Sequence, residues 1–208
     1  MPPHRAVLCF FFLWIAGISA QASPVALDLS QQGGQLTDFT VEYFIDDSQS
    51  LDYEAIHKQA FRETTSTTRL GARATVTWYQ VALHNPGAES RSLFLHLPKA
   101  YHVRSIDVFE ERADNLVDQA SVDLNDASDH PLMYRGTVVY PFTVPSGETT
   151  SLYVRSHVYS HQWFSLKIYD DEQSRKALVG GHLDIALLVG MNVGTGVLLP
   201  DFSNSGWT

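Results

Sequence analysis

From Thr40 to Tyr169 apolar and polar residues alternate in short runs, the period of a β-strand with one buried face. Arg91–Leu97 is the clearest run, with Leu93, Leu95 and Leu97 on one side. Thr40–Ile45, Val103–Phe109, Tyr134–Val144, Ser151–Val158 and Gln162–Tyr169 read the same way, and Pro141 marks its run as an edge or an irregularity. In Ala74–Leu83 the alternation shifts from Val76/Trp78 to Val81/Leu83, which predicts a bulge or burial on both faces. Trp78 continues the line of Val76 and is expected in the core, with Tyr79 reaching the second face. Asn85-Pro86-Gly87 and Pro145-Ser146-Gly147 are sharp turn signals. Ser50 to Phe61 predicts a short helical turn with Ser50 as its N-cap, and Asp114 to Pro131 predicts a long polar loop with one weak strand. Short strands punctuated by turns make an all-β protein, an antiparallel β-sandwich or jelly roll.

The flanks break this pattern. Ala6 to Ile18 is an apolar run too short to span a bilayer comfortably, and Ala20-Gln21-Ala22 follows as an A-x-A cleavage site. The expectation is export, with residues 1–22 a signal peptide, 23–39 a lead-in and 40–170 the domain. Cys9 is the only cysteine and lies in the leader, so the mature chain lacks thiol chemistry and disulfides. The 208 residues suffice for a core without such staples. The formal net charge of -9 disfavours nucleic acid as a partner. After a charged break comes Ala177 to Leu199, almost all apolar or glycine, with 200–208 as a tail. It is long enough to cross a bilayer as a helix. However, His182, Asp184 and Asn192 lie within it, and no basic residue follows it. The expectation is a helix that inserts only marginally on its own, leaving the chain periplasmic with a partial hold on the inner membrane.

Four stretches together carry a family pattern: VEYFIDDSQSLDYEAI (Val41–Ile56), RLG (Arg69–Gly71), TWYQVALHNPGAESRSLFLHLP (Thr77–Pro98) and MYRGTVVYPFTVPSGETTSLYVR (Met133–Arg155). In this order they resemble the type 2 extracellular domain of bacterial seven-transmembrane receptors with diverse intracellular signalling modules, the DISM receptors. The resemblance runs from Val41 to Asp170 and implies a periplasmic jelly-roll sensor domain similar to carbohydrate-binding modules. In the family such a domain precedes a seven-helix membrane unit and a cytoplasmic kinase or cyclase. Ala177–Leu199 stands where the first membrane helix begins, so the chain reads as a receptor remnant or fragment.

No catalytic motif emerges: there is no G-x-S-x-G elbow and no phosphate-cradling glycine loop, and the expectation is a non-enzyme without cofactor. His157 and His161 have no third metal ligand at obvious spacing, and the run Asp123, Asn125, Asp126, Asp129 lacks the glycine and final glutamate of a calcium loop. The best candidate is a surface. Opposite Leu152, Val154 and Val158, one strand presents Tyr153, Arg155, His157 and Tyr159. Opposite Phe164, Leu166 and Ile168, the next presents Trp163, Ser165, Lys167 and Tyr169, with Arg135 and Thr137 as an extension. If the strands are neighbours, aromatic rings and cations form one face. Rings suit the C–H faces of sugars and cations suit their oxygens, so Arg135, Tyr153, Arg155, His157, Tyr159, Trp163 and Lys167 are the candidate contacts for a carbohydrate or other small ligand. The competing reading packs the same aromatics under loops or against a partner, making the protein an interaction or homodimerisation module that modulates a receptor.

Overall fold

The structure, a computed structural model, describes residues 25–180 apart from Lys99 and Ser128. The leader, the tail and all but the start of Ala177–Leu199 lie outside the described residues. The strands in chain order are β1 (Leu27–Asp28), β2 (Gln35–Leu36), β3 (Thr40–Ile45), β4 (Arg62–Thr65), β5 (Thr67–Gly71), β6 (Val76–His84) and β7 (Arg91–Leu97). They continue with β8 (Val103–Arg112), β9 (Asn115–Asp123), β10 (Met133–Tyr134), β11 (Thr137–Val144), β12 (Thr149–Val158), β13 (Gln162–Ser165) and β14 (Lys167–Tyr169). A single turn of helix, α1 (Tyr53–Ile56), lies between β3 and β4, and residues 171–180 are helical.

Two sheets face each other. The first has the order β4-β3-β6-β12-β8-β9, with β1 added in parallel to β6; the second has the order β10-β11-β7-β14-β2. A two-stranded piece, β13-β5, continues β14 and β4 past one edge. From β6 onward the chain repeatedly crosses from one sheet to the other, giving the jelly-roll sandwich the alternation predicts. The inner faces supply Val81, Leu83, Leu152 and Val154 from the first sheet, and Leu93, Leu95, Tyr140, Phe142 and Ile168 from the second, with Phe164 and Leu166 beside them. Pro141 points outward where β10 no longer pairs with β11, so its missing N–H costs no ladder bond.

The two turn signals meet at one end. Asn85 is buried, and its Nδ2 donates to the carbonyl oxygens of Glu89, Val144 and Pro145, while Gly147 N donates to the Asn85 carbonyl at 2.8 Å. Gly147 has φ of 72°, which a side chain would oppose.

Three expectations need correction. Tyr79, not Trp78, faces the inter-sheet core, stacked on Phe164; Trp78 is fully buried on the other face of the first sheet. β6 is buried on both sides, so apolar parity alone could not orient it. The N-cap of α1 is Asp52, whose carboxylate accepts from Ala55 N at 2.8 Å, rather than Ser50. The stretch after Asp114 holds a full strand, β9, paired along β8.

Candidate functional site

The D-x-S stretch shapes the loop over the first sheet. Asp46 is buried, and its carboxylate accepts from Ser48 Oγ at 2.6 Å, Gln49 N at 3.0 Å and Leu51 N at 3.0 Å. This turn leads into α1 and lays Tyr53, Ile56 and Phe61 across the outer face of the sheet, against Trp78 and Tyr153. Trp78 and Tyr53 each stack on Phe109, at 5.5 and 5.2 Å between ring centroids. Polar groups close the cluster. Tyr53 Oη donates to Glu111 at 2.5 Å, His57 Nε2 stands 3.3 Å from the same carboxylate, and Gln80 Nε2 donates to Tyr153 Oη at 2.6 Å. Burial, with Glu111 nearby, pushes both the Tyr53 and Tyr153 phenols well above their ordinary range.

Arg155 ties this loop to the first sheet. One guanidinium nitrogen donates to the Gln49 carbonyl at 3.2 Å, and another lies 3.5 Å from the Asp107 carboxylate. Its Nε and Trp78 Nε1 are buried without a hydrogen-bond partner among the described residues, and the guanidinium sits 5.9 Å from the centre of the Trp78 ring. His157, further along β12, is held below the ordinary imidazole range by burial and then by Arg104 and Arg155, against the pull of Asp107.

Tyr159 lies beyond the end of β12. It is exposed and donates to Asn125 Oδ1 at 2.5 Å beside a pocket of about 440 Å³ lined also by Val103, Leu124, Met133 and Gly136. Arg135 occupies the β10–β11 turn at φ of 47°, its guanidinium 5.7 Å from the Tyr134 ring centre. Asp123 caps a short 3-10 turn by accepting from Asn125 N at 2.9 Å.

Trp163 and Lys167 belong elsewhere. β12 pairs with β6 and β8, whereas β13 pairs with β5 and β14 with β7 and β2. Phe164, Leu166 and Ile168 point into the core from the second sheet side, so Trp163, Ser165 and Lys167 face out on that side. Arg155 faces out on the other. The single face expected from the two strands is therefore not formed: alternation gives in or out, but not which sheet a strand joins.

What the second side does form is a groove of about 230 Å³, lined by Thr67, Pro98, His102, Trp163, Ser165 and Lys167. Trp163 is 38% exposed there. The Arg69 guanidinium lies 4.8 Å from its centre, and the His102 ring is roughly parallel to it at 6.0 Å. β5 brings in Arg69 as the register partner of Trp163. Sequence reasoning missed Arg69 and His102. The signal for β5 was its run of β-branched residues, Thr64, Thr65, Thr67 and Thr68, before Arg69.

The β-sandwich thus has a covered outer face on one sheet and an aromatic groove on the other. The family model of the type 2 extracellular domain of the seven-transmembrane DISM receptors matches residues 39–170, more than half of the chain, and the chain belongs to that family. It is an extracellular sensor domain of the DISM receptor type, placed on the periplasmic side, in a family that is non-catalytic in general. No curated protein matches the sequence. Solved structures resemble it only loosely. A family GH115 4-O-methyl-α-glucuronidase with specificity for decorated arabinogalactans is 10% identical, covering 50% of this chain and 16% of its own, with a TM-score of 0.30. The β-glucosidase from Kluyveromyces marxianus is 10% identical, covering 66% and 18%, at a TM-score of 0.34. The adhesin domain of Lys-gingipain from Porphyromonas gingivalis W83 is 12% identical, covering 64% and 95%, at 0.30. The chain thus spans under a fifth of the first two structures, and likenesses at these scores carry no functional argument. Among the described residues no helix is long and apolar enough to cross a membrane, and no group of three or more His, Cys, Asp or Glu side chains is placed to hold a metal ion.

Proposed function

We propose that this domain is the ligand-binding unit of a DISM-type receptor, exported to the periplasm, and that it takes a carbohydrate in the groove at Trp163. The supporting observation is the 38% exposed Trp163, with the Arg69 guanidinium over its ring and Lys167 and the Thr67 and Ser165 hydroxyls in the same groove. A flat ring accepts the apolar C–H face of a sugar, while the polar rim meets its oxygens. The mechanism is binding without chemistry: a ligand that prefers one arrangement of the domain relative to its neighbours shifts the receptor toward it. Titration calorimetry of the full chain against a glycan panel tests this. A bound glycan whose affinity falls at least about tenfold in Trp163→Ala, roughly 1.4 kcal/mol, is the expected result. A panel with no binder, or a binder indifferent to Trp163→Ala, overturns it. Concentration-dependent dimerisation lost in the same variant, without glycan binding, would make the groove a self-association surface instead.

A further inference from the structure

The groove at Trp163 carries a charge signature that narrows its ligand, an inference that rests on the binding reading above. Acidic residues outnumber Lys and Arg by 23 to 14 in this chain. The groove reverses that balance. Lys167 lines it, the Arg69 guanidinium stands over the Trp163 ring, His102 forms one wall, and among the described residues no Asp or Glu lines it. A second depression, about 260 Å³ beside β1 and β3, has the opposite character: Glu42 and Glu63 line it, and burial with Glu63 raises the Glu42 carboxyl.

Among the described residues no ion pair neutralises Lys167 or Arg69; the ion pairs of Arg and Lys involve Arg112, Arg155, Arg175 and Lys176. Lys167 instead stands opposite His96 in the β14–β7 ladder, where its charge helps to hold that imidazole neutral. The donor inventory points the same way. Sugar hydroxyls both donate and accept, and a site for a neutral sugar supplies acceptors as well as donors. Lys167 and Arg69 only donate, and the accepting side chains among the described residues, the Thr67 and Ser165 hydroxyls and the His102 imidazole, include no carboxylate or amide oxygen. A carboxylate is acceptor-only, and its hydrogen bonds to ammonium or guanidinium are the strong, charge-assisted kind. We infer that the ligand is an acidic sugar, a hexuronate or a short chain of them, with a ring face on Trp163 and its carboxylate toward Lys167 and Arg69.

Paired probes test this: methyl galacturonide and methyl glucuronide against their neutral galactoside and glucoside parents, each as monomer and trimer, by calorimetry on the full chain. The acidic member of a pair should bind at least about tenfold more tightly. Lys167→Gln and Arg69→Gln, with unchanged circular dichroism, should each shrink that preference severalfold, and raised salt should shrink it too. Trp163→Ala should weaken both members at least about tenfold. Equal binding of acid and neutral parent, or a preference that both charge variants leave intact, overturns the acidic-ligand inference while the groove stands. Binding that Trp163→Ala leaves unchanged, or no binding by any probe, overturns the groove reading along with it.

Discussion

Glu110 and Glu111 are consecutive, and both are buried. Two adjacent carboxylates on a strand point to opposite faces, so each must find partners in a different layer. Glu110 turns to the core side, where it pairs with Arg112 at 3.0 Å and accepts from Tyr140 Oη at 3.3 Å; Glu111 turns outward to Tyr53 and His57. The register of β9 against β8 shifts between these two residues, and the bulge opens the sheet where the carboxylates sit. Apolar residues were far easier to read from sequence. Leu93, Leu95, Leu152, Val154, Phe164 and Leu166, the expected core, all lie between the sheets. Leu95 is fully buried, so Leu95→Ala should cost about 2–4 kcal/mol in lost transfer energy plus a cavity. A chemical-denaturation loss below about 0.5 kcal/mol would mark it as a surface site. His96 gives a prediction in pH. It is buried on the outer face of the second sheet, and burial, then Lys167, pushes its imidazole down to about 4 from 6.5. The unfolded chain therefore takes up this proton first as pH falls. The stabilising share of neutral His96 is full above pH 6.5, shrinks as pH drops from 6.5 toward 4, and shrinks no further below that. Melting temperatures should fall less steeply across this window in His96→Gln than in the parent, and parallel curves would refute the assignment.

At the scale of elements, the ends of the domain illustrate how one residue without a side chain sets a contact. Asp170 caps helix 171–180: its carboxylate accepts from Gln173 N at 2.8 Å, and Ser174 N donates to its carbonyl. Ser174 Oγ then meets His96 Nε2 at 2.9 Å, laying the helix on the second sheet. A Cβ on Gly34 would stand 2.0 Å from Asp170 Oδ2. Gly34→Ala should therefore displace the capping carboxylate, at a cost of roughly 1 kcal/mol, and speed amide exchange at Gln173 and Ser174. Exchange unchanged there would show the cap tolerates the methyl. Strand boundaries were legible where alternation was strict, as in β3 and β7. They were not legible in β4 and β5, whose burial alternates weakly because the chain there leaves one sheet for the small β5–β13 pair. That gap hid Arg69, one of the two cations at the groove.

At the scale of the whole molecule, period-two reading assigned most inward and outward positions correctly but could not assign neighbours. Tyr153 and Trp163 look adjacent in sequence, yet their strands belong to different sheets. Of the seven residues expected on one face, Trp163 and Lys167 define the groove. Tyr153 and Arg155 hold a loop against the opposite side, and Tyr159 and Arg135 sit near the sandwich's end. Long-range pairing is decided by loop lengths and core fit, which a single alternation pattern does not encode.

The seam between β2 and β14 also has a mechanical meaning. Leu36 lies opposite Ile168, Gln35 opposite Tyr169, and Asp170 N donates to the Gly34 carbonyl at 2.8 Å, so the two segments run antiparallel and part from each other at the same end. A pull that separates helix 171–180 from the chain preceding Gly34 loads these bonds one after another, as in a zip, beginning with Asp170 to Gly34. A pull on both segments together leaves the seam unloaded. Force or torque arriving along the helix is thus felt first at the cap, then at Tyr169 and Ile168, and only afterwards at Lys167, the residue that lines the groove.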